Sequence, residues 1–215
     1  MEWVSYIVTA VIAYLLGSVP TGYLVGKSRG LDIRTLGSGN IGATNVFRML
    51  GKPAGIFVLL VDALKGFVAC WFVGVLVHRA LVGPFQDDSA THEFLKITGG
   101  LLSILGHNYT CWLQFKGGKG IATSTGVTLA LLPLALVACL ALWILTFLLT
   151  RYVSVASIVG ALVLPVAAWH FHYSPRMIVV AALISGLAIY KHRTNIQRLR
   201  AGTENRFGKK REEAL

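Results

Sequence analysis

The sequence predicts an all-α, polytopic integral membrane protein with seven transmembrane helices, and three observations support this fold class. Charged residues make up only 13% of the 215 residues, whereas a soluble domain carries about 25%. Five stretches carry little or no charge, and a bilayer span needs roughly 20 mostly apolar residues. Lys and Arg are concentrated in particular loops, as they are on the cytoplasmic side of membrane proteins. The five stretches are residues 3–25, 53–77, 121–150, 152–175 and 177–190.

The first helix and the loop after it predict the orientation of the chain. No basic segment precedes residues 3–25, so we expect a retained membrane helix rather than a signal peptide. The loop 26–52 holds five Lys or Arg residues against one acid, Asp32. This excess predicts that the loop is cytoplasmic and that the N-terminus lies outside.

The next elements continue this alternation. Residues 53–77 form the second predicted span, and residues 78–96, with three acids against two cations, form the predicted outer loop. The third span, within residues 94–112, is short and interrupted by glycines. It leads to a cytoplasmic loop at residues 114–120, which contains two lysines.

The apolar stretch 121–150 allows two interpretations. It could be one tilted helix of about 45 Å at 1.5 Å per residue, or two short helices that turn near Pro133. Arg151 and the charged tail, residues 201–215, are both expected in the cytoplasm, with two further spans between them. Both can lie inside only if the stretch crosses twice, which predicts seven helices rather than six and a cytoplasmic C-terminus. The tail itself is predicted to be solvated and frayed.

Composition disfavours several other classes of protein. No stretch suggests a separate soluble domain, so residues 1–215 are expected to form a single membrane-embedded domain. The net charge of +11 agrees with basic cytoplasmic loops, and no nucleic-acid partner is expected. Cys70, Cys111 and Cys139 lie in apolar stretches without CxxC spacing. They are predicted to be buried hydrophobic residues, and neither a metal nor another cofactor is expected.

The first polar stretch suited to chemistry is GSGNIGATN at residues 37–45, followed by Arg48. Glycines accept positive φ and have no Cβ, so backbone N–H groups can converge on an anion. A helix that begins near Ala43 would add its N-terminal partial charge, and Arg48 could bind a phosphate through two hydrogen bonds. A flexible turn is the alternative, but it leaves the density of donors unexplained. The candidate residues are Gly37, Ser38, Gly39, Asn40, Gly42, Thr44, Asn45 and Arg48.

The second such stretch is FKGGKGIAT at residues 115–123, which enters an apolar helix. It predicts another anion site at a helix N-terminus. The nucleotide-binding pattern GxxxxGK[ST] is absent, because Gly120 follows Lys119, and a nucleotide hydrolase is therefore disfavoured. His107 and Asn108, which precede this loop, are predicted to orient it. The candidate phosphate-binding residues are Lys116, Gly117, Gly118, Lys119 and Gly120.

Two further pairs are spaced to share a helix face at i, i+3. Ser154 and Ser157 follow Arg151, and both are candidate site residues, with Ser154 predicted to bind a substrate phosphate. The alternative is that these serines cap a membrane helix. His192 and Asn195 follow the last span and could face one site at its inner end. A histidine at such a place could also be merely interfacial.

Asp62 and Lys65 lie i, i+3 within the second span. Ionisable residues inside a membrane are costly and usually functional. A structural ion pair is the alternative, and we regard both residues as supporting the site.

These clusters, in this order, resemble the bacterial acyl-phosphate:glycerol-3-phosphate acyltransferases, the PlsY family. The resemblance extends from about residue 13 to residue 204, and the combination of motifs is more specific than any one of them. The matching motifs are GSGNIGATNVFR at 37–48, DALKG at 62–66, GHN at 106–108, FKGGKGIAT at 115–123, RYVSVAS at 151–157 and HRTNIQRLRAGTE at 192–204.

The resemblance implies a seven-helix enzyme of the bacterial inner membrane with its site facing the cytoplasm. It would transfer a fatty acyl group from acyl phosphate to the 1-hydroxyl of glycerol 3-phosphate, with these two substrates and membrane lipid as its partners. We expect a monomer. The site residues that the resemblance implies are Ser38, Asn40, Arg48, Lys119, Ser157, His192 and Asn195.

The candidate residues suit this chemistry. Both substrates carry a phosphate, and the acyl donor is an activated mixed anhydride, so the site needs hydrogen-bond donors more than a nucleophile. Neither an HxxxxD pattern nor a GxSxG elbow occurs, which disfavours a covalent acyl-enzyme. Two other functions remain open: an anion or phosphate-ester channel or transporter, and a metal-dependent phosphatidyltransferase. The first lacks a visible internal repeat, and the second lacks an Asp-rich cluster.

Overall fold

The computed structural model describes residues 2–83 and 89–208, and every regular element in these residues is helical. Asp87 and Asp88 of the predicted outer loop, and residues 209–215 of the predicted tail, lie outside the described residues. The chain divides into two units, Met1–Pro133 and Leu134–Leu215.

The first unit is built from long apolar helices joined by short helices and loops. A π-helical turn at Ala69–Val73 connects the helices Lys52–Val68 and Gly74–Leu81. Single 3₁₀ turns lie at Ile33–Thr35 and Cys111–Leu113. The α-helices described in this unit are α1 Glu2–Ser18, α2 Thr21–Lys27, α3 Ala43–Leu50, α4 Lys52–Val68, α5 Gly74–Leu81, α6 Ser89–Asn108 and α7 Ile121–Leu131.

Close backbone approach holds α4 against α7. A Cβ on Gly66 would overlap the carbonyl oxygen of Thr123. In the same way, a Cβ on Gly126 would overlap the carbonyl oxygen of Ala63. Small residues at such crossings let membrane helices pack by van der Waals contact, which must replace the hydrophobic effect within lipid.

The second unit contains four α-helices among its described residues. Ser174 caps the N-terminus of the third of them and accepts a hydrogen bond from Met177 N at 3.3 Å. The last two helices meet at His192 with a bend of 52°. The four are α8 Pro133–Thr150, α9 Val153–His170, α10 Pro175–Lys191 and α11 Arg193–Arg200.

Several described helical segments are long and apolar enough to cross a membrane, which agrees with the predicted multi-pass protein. Four segments meet this description, and the bent pair α10–α11 is a fifth if it counts as one span. Helix α7 is apolar but short. The helical run 121–150 is interrupted at Leu132, as the two-helix interpretation requires. Seven spans and their orientation stay predictions. The four segments are Trp3–Lys27, Lys52–Leu81, Pro133–Thr150 and Val153–His170.

Candidate active site

The first glycine loop, residues 37–42, folds around the side chain of Asn45. Asn45 Oδ1 accepts a hydrogen bond from Ser38 N at 3.0 Å, and its Nδ2 donates to Asn40 O at 2.9 Å. The same nitrogen also lies 3.0 Å from Leu36 O and 3.2 Å from Ile33 O. Asn45 is 2% exposed, so its amide is committed to holding the loop rather than presented to a ligand.

Positive φ angles let this loop turn so tightly. Gly37 has φ of 58° and Gly39 of 70°, a region that residues with a Cβ rarely occupy. Asn40 Oδ1 accepts from Gly42 N at 2.8 Å, and α3 begins at the next residue, Ala43, as predicted. The side chain of Ser38 is exposed at the rim of the loop.

Helix α3 presents two of the predicted residues on one face. Thr44 and Arg48 are separated by one helical turn and both are half-buried. Asn45 lies on the buried side of the same helix. The helix N-terminus, Thr44 and Arg48 together can bind a phosphate beside the glycine loop.

The second glycine loop, residues 115–120, is tied to the end of α6 by its backbone. Gly118 N donates to His107 O at 3.0 Å, and Gly117 N donates to Asn108 O at 3.3 Å. A Cβ on Gly117 would overlap the His107 carbonyl oxygen, and one on Gly118 would overlap the His107 ring. The loop can therefore lie this close to α6 only because these residues are glycines.

The second loop ends at the N-terminus of α7. Gly120, at φ of 80°, is the residue before the helix, and its carbonyl accepts from Ser124 N at 2.7 Å. Lys119 is half-buried directly before this end, while Lys116 is exposed. A lysine beside free helical N–H groups favours an anion such as phosphate.

Asp62 and Lys65 form a buried ion pair that contacts α2 and the end of α6. Lys65 Nζ lies 2.8 Å from Asp62 Oδ1, and their side chains are 4% and 3% exposed. Asp62 Oδ1 also accepts from Thr21 Oγ1 at 2.9 Å and lies 3.6 Å from His107 Nδ1. Lys65 Nζ donates in addition to Val19 O at 2.9 Å. These contacts agree with the structural ion pair that the sequence left open.

His192 occupies the bend between α10 and α11 in the second unit. It is 3% exposed, and its Nδ1 donates to Ala188 O at 2.7 Å. Because a carbonyl can only accept, Nδ1 carries the hydrogen, and Nε2 carries the lone pair of the neutral ring. This is the tautomer a base would need if its Nε2 faced the substrate.

Glu204 organises the second unit, and the sequence analysis missed it. Its Oε1 accepts from Ser154 Oγ at 2.8 Å and from Asn195 Nδ2 at 2.7 Å, and its Oε2 accepts from Arg198 Nε at 2.8 Å. The side chain is 6% exposed. A signal was present, because Glu204 is the only acid between Lys191 and residue 211 in a stretch otherwise rich in cations.

The predicted frayed tail is therefore wrong for residues 201–208. Phe207 N donates to Arg151 O at 2.8 Å, and its ring packs on Phe147 with centroids 5.4 Å apart. Burial would raise the pKa of Glu204, but the hydrogen bonds from Arg198, Asn195 and Ser154 outweigh it and hold this pKa below its ordinary value. The carboxylate is thus charged at neutral pH.

The two serines of α9 do not cap it, so that alternative is wrong. The residue before the helix is Tyr152, which makes no side-chain capping bond. Ser154 donates to Glu204, whereas Ser157 Oγ donates to Val153 O at 2.8 Å and accepts from Trp143 Nε1 at 3.3 Å. Both serines are buried.

Residues 2–83 and 89–208 contain no group of three or more His, Cys, Asp or Glu side chains that could hold a metal ion.

Comparisons with known proteins all indicate the same family. The family model described as glycerol-3-phosphate acyltransferase matches residues 7–202. A glycerol-3-phosphate acyltransferase of Geotalea daltonii is 47% identical over 94% of this chain and 98% of its own length. One of Geobacter sulfurreducens is 45% identical over 94% and 97%.

Solved structures agree with the sequence relatives. The chain is similar to PlsY (YgiH), an integral membrane glycerol 3-phosphate acyltransferase, in its glycerol 3-phosphate form. The TM-score is 0.82, with 40% identity over 95% of this chain and 96% of that one. Its lysophosphatidic acid form matches with a TM-score of 0.80 at the same identity. This multi-pass membrane protein is therefore an acyltransferase and belongs to the glycerol-3-phosphate acyltransferase family.

Proposed function

We propose that this enzyme transfers a fatty acyl group from acyl phosphate to the 1-hydroxyl of glycerol 3-phosphate. The products are 1-acylglycerol 3-phosphate, that is lysophosphatidic acid, and inorganic phosphate, as the first acylation step of bacterial phospholipid synthesis. One observation carries the proposal: the first unit holds two glycine-rich loops, each with a cation and a helix N-terminus beside it. Two such loops suit two substrates that each carry a phosphate. The related PlsY structures in glycerol 3-phosphate and lysophosphatidic acid forms support the acceptor and the product.

Each loop supplies a set of phosphate contacts. Beside the first loop, Arg48 of α3 holds a phosphate through two hydrogen bonds, with Thr44 on the same helix face. In the second loop, Lys119 acts with the N-terminus of α7, and Lys116 adds charge at the exposed edge. Gly37 and Gly120 add backbone N–H groups. Gly39, Gly42, Gly117 and Gly118, which were also predicted to bind phosphate, donate their N–H groups within the protein and instead shape the two loops. Asn45, by its contacts, holds the first loop and does not bind phosphate itself.

The acyl transfer is direct. The glycerol hydroxyl oxygen bonds to the acyl carbon, the bond from that carbon to the phosphate oxygen breaks, and the hydroxyl proton leaves to a base. Because the donor is a mixed anhydride, its leaving phosphate needs charge stabilisation more than protonation. Neither a covalent acyl-enzyme nor a metal takes part. We favour a substrate phosphate as the base, with His192 as the alternative.

The remaining side chains position the reacting groups. The resemblance assigns this positioning role to Ser38, Asn40, Ser157, His192 and Asn195. Glu204 holds Asn195 in place, because one oxygen of its carboxylate accepts hydrogen bonds from both Asn195 and Ser154. The polar residues that act in this reaction thus come from loops and helix ends rather than from the middle of the spans.

The proposed location is the bacterial inner membrane, with the site facing the cytoplasm and the enzyme acting as a monomer. The basic loop 26–52 and the basic segment after α10 support this orientation. Single cysteines at exposed positions 28, 116 and 194 should all react with a membrane-impermeant thiol reagent only when it reaches the cytoplasmic side.

Purified protein in lipid, supplied with acyl phosphate and glycerol 3-phosphate, tests the reaction. Phosphate release should require both substrates, and the lipid product should carry the acyl group. Arg48→Ala and Lys119→Ala should each lower this activity strongly, because each removes a phosphate-binding cation. Release from acyl phosphate alone, or flux of glycerol 3-phosphate into sealed vesicles without product, would favour a hydrolase or the transporter alternative.

A further inference from the structure

The buried Asp62–Lys65 pair contacts a break in the first membrane helix. Helix α1 ends at Ser18 and α2 begins at Thr21, which removes the usual partners from the carbonyls between them. Lys65 Nζ donates to Val19 O at 2.9 Å, and Thr110 Oγ1 donates to Ser18 O at 2.6 Å. Val19 O also accepts from Thr21 N at 3.0 Å, so Lys65 adds a second hydrogen bond to a carbonyl at the break.

Asp62 connects this break to the first glycine loop. Its carboxylate accepts from the hydroxyl of Thr21, the first residue of α2. The next residue, Gly22, lies so close to the loop that a Cβ on it would overlap the carbonyl oxygen of Ile41. The position of the Ile41 backbone thus depends on where Asp62 holds the start of α2.

The same carboxylate connects to the second glycine loop. Asp62 Oδ1 lies 3.6 Å from Nδ1 of His107, and the His107 carbonyl accepts from Gly118 N at 3.0 Å. The His107 ring also lies against Gly118, since a Cβ there would overlap Nε2. His107 therefore contacts Asp62 through its ring and the second loop through both ring and backbone.

A buried ion pair is weak evidence of stability by itself, because removing two charges from water costs about as much as their attraction returns. Here, however, one carboxylate oxygen of Asp62 contacts both Thr21, next to the first glycine loop, and His107, next to the second. We propose that Asp62 and Lys65 are positioning residues that hold the two glycine-rich loops in one fixed arrangement for acyl transfer. This inference deepens the proposed function and rests on it.

The decisive variant removes both charges while nearly preserving volume. Asp62→Asn and Lys65→Met alone each leave one buried charge unpaired and should unfold at lower temperature. The double variant has no unpaired charge, so its Tm should return close to that of the wild type. We expect its kcat/KM to stay lower by about tenfold or more. If activity returned with Tm, the pair would be only structural and the inference would be overturned.

A second, milder comparison uses two isosteric changes at buried threonines. Thr21→Val removes the hydroxyl that donates to Asp62. Thr9→Val removes a fully buried hydroxyl in α1 that has no hydrogen-bond partner among the described residues. We expect Thr21→Val to lower kcat/KM by about tenfold and Thr9→Val to leave it within about twofold. Equal effects of the two would contradict the proposal.

Amide hydrogen exchange supplies a readout that does not need turnover. In the double variant, exchange should become faster in residues 36–42 and 115–121, and it should not change in residues 174–190 of the second unit. If the wild type failed to turn over acyl phosphate, the proposed function would fall, while this comparison would still decide the inference. Unchanged exchange in both loops of the double variant would overturn it.

Discussion

Asn195 donates a 2.7 Å hydrogen bond from Nδ2 to Oε1 of Glu204, nine residues further along the chain. The same oxygen accepts from Ser154 at 2.8 Å, so one carboxylate orients polar side chains from α9 and α11. The second oxygen is bound by Arg198. Because a side-chain amide can rotate and flip, this contact decides which of its atoms Asn195 would present to a substrate in the proposed site.

Replacing Glu204 with Gln should therefore damage both activity and stability. Gln keeps the shape, but it loses the charge that Arg198 pairs with and part of the capacity to accept hydrogen bonds. Hydrogen bonds to charged groups contribute about 1.5–3 kcal/mol each, so Tm should fall by several degrees and kcat/KM by at least about tenfold. Thermal unfolding in detergent and initial rates measure the two effects.

Asp32→Asn is the matched control, because Asp32 pairs with Arg34 at 2.7 Å at an exposed site. Exposed ion pairs add little to stability, so this variant should unfold near the wild-type temperature. If Glu204→Gln matched the wild type in both measurements, the carboxylate would not orient Asn195.

Asn45→Asp should disable the first glycine loop. The new carboxylate could still accept from Ser38 N, but it could not donate to the backbone carbonyls that Asn45 Nδ2 now binds. An unsatisfied buried polar group costs about 1–3 kcal/mol, and more when it is charged. We expect lower Tm and a rise in KM for the substrate bound by this loop. Ser28→Ala, which removes an exposed hydrogen bond in the same region, should change neither.

Local structure in this chain could be predicted from sequence, whereas contacts between distant residues could not. The helix starts at Ala43 and Ile121 and the interruption before Pro133 follow from glycine, proline and apolar runs. The link between Ser154 and Glu204 spans 50 residues, and no local pattern encodes it. The inward orientation of Asn45 was missed for a related reason, since donors in a glycine loop look alike until the loop is folded.

Gly117→Ala should lower kcat/KM by about a hundredfold, with the loss mostly in binding of one phosphorylated substrate. The added Cβ would overlap the His107 carbonyl oxygen, which is backbone and cannot rotate away. The loop would have to move, and Lys119 and the N-terminus of α7, which we propose to bind phosphate, would move with it. Initial rates over a range of each substrate concentration identify which KM rises.

Gly186→Ala is the control for this substitution, because nothing lies within 4 Å of a Cβ at that position in α10. It should keep wild-type rates and be slightly more stable, since Ala favours helix over Gly by about 1 kcal/mol. If Gly117→Ala kept the same rates as Gly186→Ala, the second loop would tolerate displacement and this prediction would be wrong.

His192→Asn distinguishes the two candidate bases. The amide nitrogen of Asn lies where His192 Nδ1 lies and can still donate to the Ala188 carbonyl, but Asn cannot take a proton near neutral pH. If a substrate phosphate is the base, the variant should keep measurable turnover and its pH–rate profile should have the same shape as that of the wild type. Loss of the acidic limb of the kcat/KM profile in the variant would instead identify His192 as the base.

Acidification should selectively weaken the second unit through Glu204. Burial alone would raise the pKa of this carboxyl, but its hydrogen bonds lower it below the ordinary value of 4.5. A group with a lowered folded-state pKa stabilises the fold above its unfolded pKa, and this contribution is lost as pH falls through the folded value. The wild-type Tm should therefore exceed that of Glu204→Gln at pH 6 to 7, and the difference should shrink below pH of about 4.5. A Tm difference between the two proteins that stayed constant across this pH range would mean that the charge of the Glu204 carboxylate does not stabilise the fold.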